Sequence, residues 1–241
     1  AQSYHALTFG FLVGEVVRRV DGRSLGTYFK EKIADAYNID FIFGLDNEDI
    51  KRTSDIVMSK IRSPILAKAF FSMPSWLLPK RIRPVVSLLK KSDFQKAFFN
   101  TQTEKNSVNS NAWKKAEIPA ANGFASAKGI SRFYSVLSDL NDNSFIKRET
   151  LEQAIKVHSS GPDTVLLNLP IKFGLGFMIE NPYSPIGQNP DLFGHSGVGG
   201  SVGFADKKRG IGFGFIKNYM HPPGKLFISA NDLTMLFYSI L

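Results

Sequence analysis

Hydrophobic and polar positions change their spacing along this chain. In the first part, apolar residues recur every three to four positions in "LTFGFLVGEVVRRVDG", which begins at Leu7. The same spacing returns in "LGTYFKEKIADAY" after Ser24 and in "AKGISRFYSVLSDL" after Ser126. This pattern predicts amphipathic helices. Ser24 and Ser126 are expected N-caps, and Gly22 is expected to end the first helix in the left-handed conformation.

Three more helices follow from similar but shorter patterns. Asn47 is expected to cap "EDIKRTSDIVMSKI", and "KRETLEQAIKV" forms another helix. Ser229 or Asn231 is expected to cap the closing helix, "DLTMLFYSIL", which should cover one face of a sheet. The side chains expected to point inward from this helix are Leu233, Leu236, Phe237 and Ile240.

After His158, glycines alternate with Phe, Ile or Val in "IKFGLGFMIE", "GVGGSVGFAD" and "GIGFGFIKNYM". Such alternation favours strands against which another backbone packs closely, and "DKKRG" has the residues of a hairpin turn. Helices followed by strands and a last helix indicate an α+β fold, with an antiparallel sheet flanked by helices. We expect a mainly helical lobe over residues 1–165, with a basic insertion at about 48–115, and strands with the closing helix over 166–241.

Charge and cysteine content exclude several classes of function. The net charge of the 241 residues is +9, but residues 51–115 alone hold 14 Lys and Arg against 3 Asp and Glu. The remainder is therefore near neutral, and nucleic acid is not an expected partner. Cysteine is absent, which excludes disulfides and thiolate chemistry, and the 4 scattered histidines give no metal signal. We expect no metal and no organic cofactor.

The segment 63–91 mixes aromatic and aliphatic residues with a basic cluster. Three roles remain open for it. It could be a helical subdomain with a solvated basic edge, a lid over an apolar acyl site, or a surface for peripheral membrane contact.

Two serines lie among the glycines of "FGHSGVGGSVGFAD". Residues 199–203 match G-x-S-x-G, but a nucleophile elbow needs a strand, a sharp turn and then a helix, whereas a hairpin is predicted here. Ser201 is therefore expected to be a strand residue. His195-Ser196-Gly197 resembles the K-[ST]-G triad of penicillin-binding proteins and serine β-lactamases, which lines the site without being the nucleophile. There the next backbone N–H, here that of Val198, supplies half of the oxyanion hole.

Four segments in register extend this likeness to a family. In order and spacing, these segments resemble class C β-lactamase-like serine hydrolases. They are "YHALTFGFLVGEVVRRVDGRSLGTYFKEKIADAYNID", "IPAANGFASAKGISRFYSVL", "FGLGFMI" and "FGHSGVGGSVGFAD". The resemblance covers nearly the whole chain except 47–115. It implies the penicillin-recognising fold and acyl transfer through a serine ester.

The resemblance also implies roles for single residues. Tyr4, or less directly His5, matches the tyrosine that shuttles the proton of the nucleophile. Ala6 stands where that motif has Asn, and His195 replaces the triad lysine. An ordinary histidine is mostly neutral at pH 7 and is a poor anchor for a carboxylate. Both departures favour an ester, amide or small-peptide substrate over a β-lactam.

The family's nucleophile is the serine of S-x-x-K, which precedes the tyrosine motif. Here only "AQS" precedes Tyr4, and the two S-x-x-K strings, Ser87 to Lys90 and Ser144 to Lys147, lie after it. We therefore expect that this chain is seen without its N-terminal strands and nucleophile, and that it is inactive alone. The alternative is a non-catalytic relative that acts as a binding or scaffolding module. The sequence indicates neither oligomeric state nor compartment.

Overall fold

The structure is a computed structural model that describes residues 2–58, 72–80, 83–90, 97, 107–139, 145–166, 168–179, 186, 189–221 and 228–241. Its α-helices are α1 (Thr8–Asp21), α2 (Leu25–Phe29), α3 (Asp35–Tyr37), α4 (Asn47–Lys51), α5 (Arg83–Lys90), α6 (Asn111–Lys115), α7 (Ala127–Leu137), α8 (Arg148–Ile155) and α9 (Ile228–Ser239). A π-helical turn (Lys30–Ala34) joins α2 to α3, and a 3-10 turn (Ser75–Leu77) precedes α5.

The strands of the described chain are β1 (Phe41–Ile42), β2 (Val57–Met58), β3 (Phe124–Ala125), β4 (Ser159–Asp163), β5 (Leu169–Phe173), β6 (Leu192–Ser196), β7 (Val202–Asp206), β8 (Ile211–Phe215) and β9 (Tyr219–Met220). Helices come first, longer antiparallel strands follow, and α9 comes last. This order confirms the α+β class.

The caps predicted for the helices on either side of Arg23 are confirmed. Gly22 has a φ of 91°, and its N–H donates to the carbonyl oxygen of Arg18. This left-handed conformation has little cost for glycine and ends α1. The hydroxyl of Ser24 accepts a hydrogen bond from the Thr27 N–H at 3.2 Å, so Ser24 is the N-cap of α2.

The predicted start and length of α4 are wrong. Asp46, one residue before the predicted cap Asn47, accepts hydrogen bonds at its Oδ1 from two N–H groups of the first turn. The helix ends at Lys51 because the chain then pairs with distant residues. Val57 in β2 donates to the carbonyl oxygen of Asn218 at 2.8 Å, and β2 runs parallel to β9.

The longer strands form one antiparallel surface. β4 pairs with β5, and β6, β7 and β8 pair in sequence order. Met178 joins the two groups because it bridges Phe173 of β5 on one side and Gly194 of β6 on the other. The predicted hairpin turn between β7 and β8 is confirmed. In it, the N–H of Arg209 donates to Asp206 at 3.0 Å and Gly210 has a φ of 67°.

Glycines let α7 lie directly on β7 and β8. A Cβ added at Gly212 would lie 2.1 Å from the backbone nitrogen of Ser135, and one at Gly203 would lie 2.4 Å from the ring of Tyr134. The close packing predicted from the glycine pattern is therefore confirmed. The residues after Ser201 form strand β7 rather than a helix, so this serine is not on a nucleophile elbow.

The sheet is buried on both faces. Phe193 packs with Tyr134 in one apolar cluster, while Phe204 packs with Ala230 of α9 in another. Phe193 and Phe204 are 2% and 0% exposed. Burial of a side chain of this size contributes about 1.5–3 kcal/mol.

The predicted orientation and caps of α9 are wrong. The helix includes Ile228, before both proposed caps, Ser229 and Asn231. Its buried residues are Ala230 and Thr234, and its Tyr238 stacks on Phe204 of the sheet. The helix is apolar on nearly every side, so spacing alone did not identify the inner face. Among the residues expected inside, Phe237 is half-buried, whereas three are exposed: Leu233, Leu236 and Ile240.

Candidate active site

The segment that carries Tyr4 is anchored to the β4–β5 hairpin. The side-chain amide of Gln2 donates to the carbonyl oxygen of Gly161 at 2.9 Å and to that of Ile171 at 2.7 Å. The N–H of Thr164 donates to the backbone oxygen of Gln2 at 3.1 Å. These bonds fix the backbone two residues before Tyr4, which limits where its ring can lie.

The ring of Tyr4 lies over the sheet next to the His195-Ser196-Gly197 triad. Its centroid is 5.8 Å from that of His195 and 6.0 Å from that of Phe173, on which it stacks. The structure therefore brings together the tyrosine and the triad, which are far apart in the sequence. His5, the second candidate, is exposed and makes its ring hydrogen bond to the Thr8 hydroxyl.

Burial holds His195 in its neutral form. Its pKa is lowered from 6.5 because burial disfavours the charged imidazolium, and the hydrogen bond to Ser196 opposes this effect only in part. Nδ1 lies 2.9 Å from the carbonyl oxygen of Ser196. A carbonyl oxygen can only accept, so Nδ1 carries the proton and Nε2 of the neutral ring carries the lone pair.

The same low-dielectric surroundings keep Tyr4 protonated. Its pKa is raised above 10.0, first by burial and then by the negative charge of Asp163. In the surroundings that the structure describes, Tyr4 is therefore a proton donor at neutral pH. It becomes a proton acceptor only where a positive charge offsets these two effects.

The triad ends in a tight turn that exposes a backbone donor. Gly197 donates to the carbonyl oxygen of Ser201 at 2.7 Å, and Gly200 donates to that of Gly197 at 2.9 Å. Val198 lies at the exposed tip, and no described residue accepts its N–H. The hydroxyl of Ser196 is buried and has no hydrogen-bond partner among the described residues. The N–H of Val198 can therefore donate to a substrate oxygen.

Two of the remaining serine candidates, Ser201 and Ser87, lie within the described residues. The hydroxyl of Ser201 accepts the backbone N–H of Lys217 at 3.3 Å. Ser87 is in α5, where the ammonium group of Lys90 donates to the backbone of Met73. Ser144 lies outside the described residues.

Three residues of the site carried no clear signal in the sequence. Phe173 stacks on Tyr4, Gln2 anchors the Tyr4 segment, and Asp163 acts on Tyr4 through its charge. Asp163 stands in "SSGPDTV", where a Gly-Pro-Asp run is typical of a turn. Their roles depend on contacts between segments more than 150 residues apart, such as that of Gln2 with Ile171.

Two findings concern cofactors and membranes. In the described part of the chain, no group of three or more His, Asp or Glu side chains is arranged to hold a metal ion. The helices within the same residues are too short or too polar to cross a bilayer.

The segment 63–91 is described in part, over residues 72–80 and 83–90. These residues include Trp76, which is 71% exposed. The role of the segment 63–91 stays a prediction.

Comparison with known families tests the resemblance directly. The β-lactamase family model matches residues 1–232. The chain belongs to the β-lactamase family. The esterase/β-lactamase LipL of Mycobacterium tuberculosis is 30% identical over 227 residues, which cover 92% of this chain and 49% of LipL.

Solved structures give the same assignment. A penicillin-binding protein homologue from Caulobacter crescentus is 31% identical, with a TM-score of 0.69, over 91% of this chain and 53% of that protein. A family VIII carboxylesterase is 29% identical, with a TM-score of 0.72, over 97% of this chain and 58% of its own. EstA from Arthrobacter nitroguajacolicus Rue61a is 25% identical, with a TM-score of 0.72, over 98% and 60%. The chain thus spans about half the length of these relatives.

Proposed function

We propose that this β-lactamase-family chain supplies the tyrosine and the triad strand of a serine hydrolase active site. The reaction is transfer of an acyl group from an ester, amide or small peptide to water. One observation carries the proposal, namely the 5.8 Å approach of the Tyr4 ring to His195 beside the Val198 donor. Relatives described as an esterase/β-lactamase and a carboxylesterase support it.

In the proposed reaction, a serine hydroxyl attacks the carbonyl carbon of the substrate while the lysine of the same Ser-x-x-Lys segment accepts its proton, and Tyr4 stays protonated. The N–H of Val198 donates to the oxyanion that forms. When the intermediate collapses, Tyr4 donates its proton to the departing alcohol or amine and regains one from the lysine. Water then attacks the acyl-enzyme by the same route, and this step releases the acid and restores the serine.

The attacking serine of this proposal is not one of the 241 residues. A serine is activated by a base within hydrogen-bond reach, and in S-x-x-K this base is the lysine three residues later. Ser196 and Ser201 have Gly199 and Phe204 at that position. The proposal therefore requires a Ser-x-x-Lys segment elsewhere in the protein, and these residues alone are expected to be inactive.

Esters are the preferred substrate class. The family's triad lysine is a cation that attracts a substrate carboxylate, whereas burial keeps His195 neutral. Ala6, in place of the motif's Asn, is 5% exposed and brings no amide to the site. A neutral ester loses least from both changes, since it carries no carboxylate that must be neutralised.

The test is Tyr4→Phe in the product of the complete gene, assayed with p-nitrophenyl acetate and butyrate. We expect kcat/KM to fall by about 10²- to 10⁴-fold, because the variant loses the proton shuttle but keeps the ring that stacks on Phe173. Tyr37→Phe is the matched control, since Tyr37 packs on Phe145 in a different cluster. Equal activity of the Tyr4 and Tyr37 variants would contradict the proposal.

A non-catalytic binding module is the second candidate. The raised pKa of Tyr4 favours it, because a protonated tyrosine does not act as a base. If the protein is such a module, the complete protein hydrolyses neither ester and forms no acyl-enzyme. The wild type and Tyr4→Phe then give the same background rate of ester hydrolysis.

A further inference from the structure

Lys114 of α6 is a buried lysine with an exposed partner. The residue is 6% exposed, and its ammonium group donates to Oδ1 of Asp55 at 2.7 Å. The side chain of Asp55 is 63% exposed. Removal of an ammonium group from water is costly, and the carboxylate of Asp55 offsets part of this cost. The ion pair therefore ties the backbone at Asp55, two residues before β2, to helix α6.

The residue after Asp55 is bound in the same way. The side-chain oxygen of Asn109 accepts the N–H of Ile56 at 2.9 Å, and its amide group donates to the carbonyl oxygen of Ile56 at 3.0 Å. Asp55 and Ile56 thus contact two residues that come more than fifty positions later in the sequence. We call these four residues, Asp55, Ile56, Asn109 and Lys114, the clasp.

The clasp holds strand β9. The side-chain amide of Asn218 donates to the carbonyl oxygen of Asp55 at 3.2 Å, and the N–H of Val57 donates to the carbonyl oxygen of Asn218 at 2.8 Å. From there β2 runs parallel to β9, with Val57 opposite Tyr219. Among the strands that the structure describes, β2 is the one that pairs with β9. The position of β9 therefore depends on the clasp.

Strand β9 lies against the turn that carries the Val198 donor. A Cβ added at Gly199, the next residue, would lie 3.4 Å from Cγ of Met220 in β9. At the end of the turn, the hydroxyl of Ser201 accepts the N–H of Lys217, two residues before β9, at 3.3 Å. These two contacts limit where the turn can lie, and with it the N–H of Val198.

We infer that Lys114 is a positioning residue, which acts through β9 to hold the N–H of Val198 in place for the oxyanion. The inference rests on the proposed function, because that reaction gives Val198 its role. An oxyanion donor stabilises the transition state more than the bound ester, provided that it is within hydrogen-bond distance of the developing charge. Loosening of the clasp should therefore lower kcat and leave KM nearly unchanged.

The kinetic test is Lys114→Met in the product of the complete gene, assayed with p-nitrophenyl butyrate. Methionine fills similar space, and the exposed carboxylate of Asp55 returns to water, so the fold is retained. We expect kcat to fall by about 10-fold, with KM within about twofold of the wild type. Asp55→Asn weakens the same ion pair from its exposed side and should act in the same direction. Lys115→Met is the matched control, since Lys115 is the exposed neighbour in α6, and it should change neither constant.

Hydrogen exchange gives a readout that needs no activity. The N–H groups of Gly197 and Gly200 are hydrogen-bonded within the turn, and mass spectrometry of a peptide that covers residues 197–201 measures their exchange. We expect Lys114→Met to speed this exchange by about 10-fold, because β9 no longer holds the turn. Lys115→Met should leave it unchanged.

The β7–β8 turn is the reference within each sample, since the N–H of Arg209 donates there to Asp206. Equal acceleration in this turn would show a general loosening and contradict the inference. Unchanged exchange at residues 197–201 in Lys114→Met, or faster exchange with an unchanged kcat, would overturn it. If the wild type hydrolyses no ester, the proposed function fails, whereas the exchange still decides whether Lys114 positions the turn.

Discussion

His195 and Tyr4 share one physical property, since burial favours the neutral form of each. His195 therefore has a lower pKa than a solvated imidazole. Tyr4 therefore retains its phenolic proton. Two neutral rings in contact suit the uncharged ester of the proposed reaction, and Tyr4 requires a nearby cation before it can act as a base.

The lowered pKa of His195 predicts a loss of stability in acid. Between the folded pKa and the unfolded value of about 6.5, the unfolded chain binds more protons than the folded chain. The free energy of unfolding therefore falls as the pH drops through this window and is fully recovered above it. His195→Asn keeps a donor near the Nδ1 position but cannot titrate. We expect urea midpoints to drop less between pH 7.5 and pH 5 for this variant than for the wild type, whereas parallel drops would contradict the assignment.

At the scale of elements, local signals predicted most helices and hairpins. Ser24, Ser126 and Gly22 form the predicted caps because a cap depends on neighbours within four residues. At α4 the predicted cap, Asn47, follows directly on the observed cap, Asp46, and both residue types are good N-caps, so residue type alone does not locate the helix start. The meeting of Tyr4 with His195 depends on strand pairing across the sheet. Only the family resemblance indicated it.

Close packing of α7 on β8 gives a prediction at this scale. Gly212→Ala should destabilise the fold by about 1–3 kcal/mol, because its Cβ would meet the backbone of Ser135 and Ser131 and the helix would have to shift. Gly14→Ala is the control, since its Cβ would meet Pro119 and Leu25 only at 3.6–3.9 Å. In the interior of α1 this change should stabilise the protein by about 0.4–1 kcal/mol. Thermal unfolding of both variants checks the pair, and a neutral Gly212→Ala would contradict the packing.

At the scale of the whole molecule, two helices carry apolar side chains that no described residue covers. Val20 of α1 is 83% exposed, and Met235 and Leu236 of α9 are 65% and 60% exposed. Apolar surface of this extent promotes association. We expect the 241-residue chain alone to self-associate, and Met235→Glu with Leu236→Glu to reduce this in sedimentation experiments. Ser239→Glu adds charge to the same helix without removing apolar surface and should have a smaller effect; an equal effect would show that charge alone matters.

The location of a covalent fluorophosphonate adduct, found by mass spectrometry, tests the central claim most directly. In the product of the complete gene, we predict one adduct on a serine of a Ser-x-x-Lys segment outside these 241 residues. Tyr4→Phe should slow its formation strongly, and the 241-residue chain alone should not be labelled. Stoichiometric labelling of Ser196, Ser201, Ser87 or Ser144 would contradict the account.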